Sequence, residues 1–387
     1  MAEQIKGTSL FPQYVWTPRA AHTIRNLRLL IVEDGTKQKV PEASMHTTMS
    51  GLVQVLVVAV SLFVGACSLA FAEEPQIAPV KILEFAPGLS IAKEAENISG
   101  SACAIASEES YSCLLIGDEV RFARFFSLSN NGLKSGEQVF ILPKEYEAGE
   151  QTKEYDETDA EGIAFANGAY YLIGSHGLNK SGKHQPSRYF LYRVTVDPVT
   201  GLADDLGTKD IASAQVTKSG NLEKIIATTP ELASYVNMVP DQEGINIEGL
   251  AIKDGQLYVG FRGPLIAGGA TIGSVALDDA FHNPSASLTL LPPIKLGDGQ
   301  GVRDLAAVEG GFLILTGPQR DQAGPAKVCF WKLGETSAKC HGVIKAGPDS
   351  SKPEALTLLE TTDAKFKVSI MSDGANGGAP AIYDIPR

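Results

Sequence analysis

The sequence predicts an all-β fold, a β-propeller, on three observations. Beyond residue 80 the chain runs in short apolar stretches such as KILEF, QVFILP, RYFLYRVTV and KVCFWKL, broken by Gly, Asp and Asn, which is the pattern of strands and tight turns. One phrase recurs: an acid, a small apolar strand, a turn, a second apolar strand, and an exit containing Gly or Ser. It stands as AEGIAFANGAYYLIGSHG from 160, IEGLAIKDGQLYVGFRGP from 247, VRDLAAVEGGFLILTGP from 302 and KPEALTLLETTDAKFKVSIMSDG from 352. A fifth segment, ISGSACAIASEESYSCLLIGDE from 98, keeps the shape without the acid. The acids Glu161, Glu248, Asp304 and Glu354 are 87, 56 and 50 residues apart. Similarity repeating about every 40 to 50 residues reads as one four-stranded blade per repeat. Five to seven blades fit, and six suits the length best. A β-sandwich is the alternative, but sandwiches rarely reach this length in one domain and need no recurring acid.

The elements follow in chain order. Residues 1–44 are too long for the basic region of an export signal. Met45 and Met49 both read as true starts, so 1–44 is expected to be an extension without a fold. Within 45–72, the run LVQVLVVAVSLFVGACSLAFA carries no charge and ends in Ala70-Phe71-Ala72, the pattern of a secretory signal with its cleavage site. A membrane anchor is the alternative, and the small-x-small ending followed by EEPQ favours cleavage. Phe63-Val64-Gly65-Ala66-Cys67 also resembles a lipobox, which would anchor an exported lipoprotein through Cys67. Residues 73–387 then form a single propeller domain, periplasmic or extracellular, without a transmembrane span and expected as a monomer. Residues 1–72 hold 6 basic and 4 acidic residues, so their removal takes the net charge from −12 to −14. A body this acidic repels phosphate backbones and excludes nucleic acid as a partner.

Four cysteines remain in two close pairs, Cys103 with Cys113 and Cys329 with Cys340, each bracketing a probable hairpin. An oxidising compartment and local pairing make them disulfides. A zinc site is the alternative, but Cys-x-x-Cys spacing is missing. The one helical stretch is 221–237, NLEKIIATTPELASYVN, which Pro230 should break or kink. It reads as an insertion over one face, and it or a further blade would fill the long Glu161–Glu248 interval.

In a propeller the first strand of each blade lines the axis, so equivalent positions converge on one funnel. Repeated acids there repel one another unless something cationic lies between them. The sequence offers two cations: a bound metal, or the arginines Arg262 in GFRGP and Arg303 in GVRDL.

The phrases DAEGIAF, GSHG, INIEGLAI, VGFRGPL, GVRDL, PEAL and SDG, in this order, resemble the bacterial DUF3616 family over roughly residues 98–387. INIEGLA and GFRGPL are its specific part. The resemblance implies a propeller-like domain, often exported, similar in broad shape to esterase-like phytases and SdiA-regulated proteins. It supplies no reaction and no catalytic residues.

The candidate funnel comprises Asp159, Glu161, Glu248, Asp304, Glu354 and Asp373, with Arg262 and Arg303. Hard oxygen donors at this density suit Ca²⁺, which could polarise an ester or phosphoryl oxygen. On that reading Glu161, Glu248, Asp304, Glu354 and Asp373 hold the metal, Arg262 and Arg303 clamp an anion, and His176 in GSHG is the general base. The protein would be a metal-assisted phosphoesterase or esterase acting on a small anionic ligand. Against it stands a structural reading in which each acid caps its own blade or pairs with an Arg across the channel. The alternative function is a non-catalytic module binding an envelope partner with the same face. No Gly-x-Ser-x-Gly elbow is present, which disfavours an α/β serine hydrolase. GLNKSGKH at 177–184 nearly spells a phosphate loop, but His184 replaces its Ser/Thr and a strand follows, not a helix. It reads as a basic rim loop whose Lys180 and Lys183 could attract an anion. GDGQG at 297–301 reads as a turn between blades.

Overall fold

The computed structural model describes residues 74–107, 110–345, 347–348 and 350–387. The expected extension 1–44, and the leader 45–72 with its Cys67, lie outside the described residues. Each recurring phrase forms the two inner strands of an antiparallel sheet, and two further strands complete it; in the fourth blade a fifth, Gln76–Ile77, adds in parallel at the outer edge. Blade 1 runs Ile98–Ser107, Ser110–Gly117, Phe122–Ser129 and Gly132–Phe140. Blade 2 is Ala160–Ala166, Ala169–Gly174, Leu191–Thr195 and Val216–Ser219. Blade 3 is Asn246–Lys253, Gln256–Ile266, Gly269–Ala276 and Thr289–Leu290. Blade 4 is Gln300–Val308, Gly311–Pro318, Lys327–Lys332 and Lys339–Ile344. Blade 5 takes Lys352–Thr361, Lys365–Asp373 and Ala381–Pro386 from the end of the chain. Its fourth strand, Lys81–Ile82, comes from the start of the described chain, with Lys81 opposite Ile382 and Ile82 opposite Ala381.

The propeller therefore has five blades, not six. The long interval between Glu161 and Glu248 holds the outer strands of blade 2, long connections and a short helix, with no additional sheet. Closure is visible in the core. Five apolar clusters are present, one at each junction between neighbouring blades, including the junction of blade 5 with blade 1. Strand periodicity explains how one strand serves two junctions, because alternate side chains point to opposite faces. In blade 4, Phe312 and Ile314 pack toward blade 3 while Leu313 and Leu315 pack toward blade 5. Both faces are buried, so the run FLIL is continuously apolar. At that junction Gly260 is required: a Cβ there would lie 2.5 Å from Val302 Cγ1. At the inner edge of the closing junction, the Ser101 and Thr357 hydroxyls hydrogen-bond at 2.5 Å.

The two disulfides are those expected, Cys103–Cys113 and Cys329–Cys340. Each joins directly opposed residues of neighbouring strands. The expected helix 221–237 is shorter: it spans Asn221–Ala227 and gives way to turns. The Thr228 and Thr229 hydroxyls bond back to the Lys224 and Ile225 carbonyls, and Pro230 has no N–H to continue the ladder. Leu222, Ile225, Ile226 and Leu232 of this insertion are buried in the blade 2–blade 3 core. Two short helices, Ala92–Glu96 and Leu277–His282, lack a sequence signal that stands out from the strand pattern. Among the described residues no helix is long and apolar enough to cross a membrane.

Candidate functional site

The first strands of all five blades pack side by side around the axis. Where they begin, the second strands end, so the start of one phrase and its exit meet at the same mouth. A cavity of about 550 Å³ opens there. Asp159, Glu161, Glu248, Arg262, Glu354 and Asp373 line it together, as the repeat predicts. Arg303 lies just beneath them.

Register decides what each residue does. In IEGLAI, PEALTL and AEGIAF the acid starts the inner strand and faces the mouth. In VRDLAAV that place belongs to Arg303, and Asp304 stands where blades 2 and 3 carry Gly162 and Gly249. Asp304 is accordingly apart from the ring. It is fully buried and points sideways: one carboxylate oxygen accepts the Leu305 N–H and the other accepts the Leu356 N–H of blade 5, both at 2.7 Å. It is a strut between two blades. Burial raises its carboxyl well above the usual range, against the lowering pull of those N–H donors.

Arg303 is 1% exposed. Its Nη1 donates to Glu354 Oε1 and lies 3.2 Å from Glu248 Oε2, and its Nη2 donates to the Pro318 carbonyl at 3.2 Å. Arg262 donates through Nη1 to Glu248 Oε1 at 2.7 Å and through Nε to the Gln319 carbonyl at 2.7 Å. Asn246 adds a second donor to Glu248 Oε1 at 2.9 Å. Both arginines are thus committed to carboxylates of the ring and to backbone oxygens. Burial raises Glu354 to about 8, with Arg303 opposing the shift.

On the blade 1–blade 2 side the pattern changes. Arg188, from the segment after blade 2's second strand, donates to Asp159 and to Glu157, each at 2.8 Å. Ser175 also donates to Asp159 Oδ2. Glu161 is half-buried and has no hydrogen-bond or ion-pair partner among the described residues. Burial, then Asp159 and Glu248, raise its carboxyl well above the usual range. Asp118 is raised to about 7 by burial, then by Asp159 and Asp373, and its Oδ1 has no partner. Lys352 closes the third side, its ammonium 2.6 Å from Asp321 and 3.2 Å from Asp373. Lys180 of the rim loop reaches the same Asp321 at 3.2 Å.

His176 does not line the cavity. It is buried, its Nδ1 lies 2.9 Å from the Gly174 carbonyl, and its Nε2 has no partner. Burial pushes it down to about 4. Asp118, Arg188, Asn246, Asp321 and Lys352 are among the mouth residues that sequence reasoning missed. Asp118 had a signal: IGDE is the exit of the acid-free fifth phrase, just as SDG is the exit carrying Asp373. The cavity wall holds ten acidic side chains against four basic ones. Among the described residues no three His, Cys, Asp or Glu side chains stand together as a ready metal cage.

A family model described as "Protein of unknown function (DUF3616)" matches residues 180–376. The chain belongs to the DUF3616 family. The DUF3616 match takes in blades 3 and 4, most of blade 5 and the outer part of blade 2, and with them Glu248, Arg262, Arg303 and Glu354. No curated protein matches the chain. Solved structures similar to this DUF3616 protein include Bacteroides ovatus Xyloglucan PUL GH43B, at 10% identity and a TM-score of 0.41, covering 79% of this chain and 54% of that one. Another is a hypothetical protein from Leishmania major, at 12% identity, a TM-score of 0.38, and 84% and 94% coverage. A third is Bacillus subtilis arabinanase Arb43A, at 14% identity, a TM-score of 0.37, and 75% and 95% coverage. The chain thus spans about half the length of the first. At these scores the likenesses carry no functional argument, and the blade count rests on the sheets themselves.

Proposed function

We propose that this DUF3616 protein is an exported, non-catalytic propeller module whose acidic mouth binds a cationic ligand. The observation that carries the reading is the division of charge. Arg262 and Arg303 are taken up by Glu248 and Glu354, while Glu161 and Asp118 line the same cavity without a cationic partner among the described residues. A wall of ten acids and four bases focuses a negative potential that concentrates cations and repels phosphate or carboxylate esters. A phosphoesterase would need free anion clamps, and the two arginines expected in that role are engaged elsewhere. The paired cysteines support an oxidising compartment.

Calcium is a second reading, favoured by the hard oxygen donors that Asp118, Asp159 and Glu161 bring to one wall. These side chains would have to draw together around it, since no ready cage is present among the described residues. Calorimetric titration of the purified protein with calcium, magnesium and spermidine, and separately with inorganic phosphate, tests the proposal. At least one cation should bind with an affinity that falls as salt rises, and phosphate should give no heat of binding. Phosphate binding without any cation binding would overturn it.

A further inference from the structure

We infer that the ligand of the acidic mouth is an organic polycation, a linear di- or polyamine, and that Lys180 is its tethered competitor. The inference rests on the reading that the mouth takes a cation, and it names the class.

Three observations point to ammonium groups on a flexible chain. First, the mouth already holds ammonium groups: Lys352 sits between Asp321 and Asp373, and Lys180 caps the other oxygen of Asp321 at 3.2 Å. Second, acceptors remain below them. Glu248 is 2% exposed and lines the cavity, yet its Oε2 accepts no hydrogen bond; Arg303 stands within ion-pair distance but outside hydrogen-bond geometry. The Oδ1 of Asp118 is also unpartnered, and Glu161 makes no hydrogen bond or ion pair among the described residues, so free acceptors come from three successive blades. Third, the space is that of an organic molecule. A volume of about 550 Å³ lies within the range of small-molecule sites and far above that of a single ion. Leu178, Val239 and Pro240 give the cavity an apolar wall on one side, against which methylene spacers can lie while their ammonium ends meet carboxylates.

Lys180 belongs to the rim loop that lines the cavity, its side chain is 88% exposed, and its one ion pair is the contact with Asp321. It occupies an acceptor that an entering ammonium would use. An exposed pair of this kind is weak, so a ligand can displace it, and its removal should tighten binding only about two- to fivefold.

The test is calorimetric titration of the purified protein with spermidine, with calcium as the second probe, on wild type, Lys180→Ala and Glu161→Gln. The inference expects spermidine to bind, Lys180→Ala to bind it about two- to fivefold more tightly, and Glu161→Gln to weaken it at least tenfold. Because Lys180 is exposed, its variant reports on binding even if Glu161→Gln fails to fold. Calcium binding without spermidine binding would overturn the polyamine assignment and leave the cation reading standing. Spermidine binding that neither variant alters would place the ligand elsewhere and overturn the inference. Silence from every cation would overturn both readings.

Discussion

Arg303 is the residue on which the ring depends. It is buried, and it joins Glu248 to Glu354. Arg303→Met keeps the volume and removes the charge, leaving two carboxylates to face each other. Breaking a buried pair in this way costs about 3–5 kcal/mol, and denaturant unfolding should show that loss with an unchanged slope. His176 governs the acid limb of stability. Its folded value of about 4 lies below the ordinary 6.5, so between those values the unfolded chain binds more protons. Stability should fall as pH drops from about 6.5 to about 4, by up to ~3 kcal/mol, and His176→Asn should flatten that limb. Asp118 acts in the opposite sense. Its folded value of about 7 lies above the ordinary 3.8, so its contribution is lost as pH rises through that window unless a cation offsets the charge. Glu161, Glu248 and Glu354 were legible in the sequence because they recur, whereas acids that loops bring to the mouth, such as Asp321, carry no repeat. Asp304 was misplaced because spacing alone cannot tell Arg-Asp-Leu from Glu-Gly-Leu; one residue of register exchanges the mouth for the blade junction.

Among the elements, the inner hairpins were legible, and so were the longer outer strands: QVFILP, RYFLYRVTV and KVCFWKL fall on outer strands of blades 1, 2 and 4. The shortest outer strands were not. Thr289–Leu290 in blade 3 has two residues, too few for a periodic signal. The helix was overextended for a local reason, since the apolar spacing through Leu232 serves packing after the helix has ended. The rim loop illustrates the same limit. Its lysines were read as an anion lure, but Lys180 reaches an acid donated by blade 4's far connection, a partnership of residues 141 positions apart.

Over the described residues as a whole, the ring of five junctions closes in blade 5, where Lys81–Ile82 pairs with the C-terminal strand. Val80 tests that closure. Its side chain is exposed, but its N–H donates to the Ile382 carbonyl at 2.8 Å. Val80→Pro removes that bond and should cost about 1–3 kcal/mol, read as a lower melting temperature with the site's ligand binding retained. Blade number was the least legible feature, because a blade and a long insertion occupy similar lengths of sequence. The counted clusters settle it: five junctions, each filled by side chains from both neighbours.

The mouth holds more negative charge than its basic side chains compensate, ten acids against four bases among the described residues. Thermal unfolding at pH 8 of wild type and Glu161→Gln, each with and without added cation, tests it most directly. Glu161→Gln should melt higher than wild type without cation, because an unpaired carboxylate is gone, by an amount on the order of 1 kcal/mol. Calcium or spermidine should raise the wild-type melting temperature and move the variant much less, since a ligand stabilises only the state it binds. A variant that melts lower than wild type, with both proteins responding equally to cation, would make Glu161 a structural strut and the mouth no cation site.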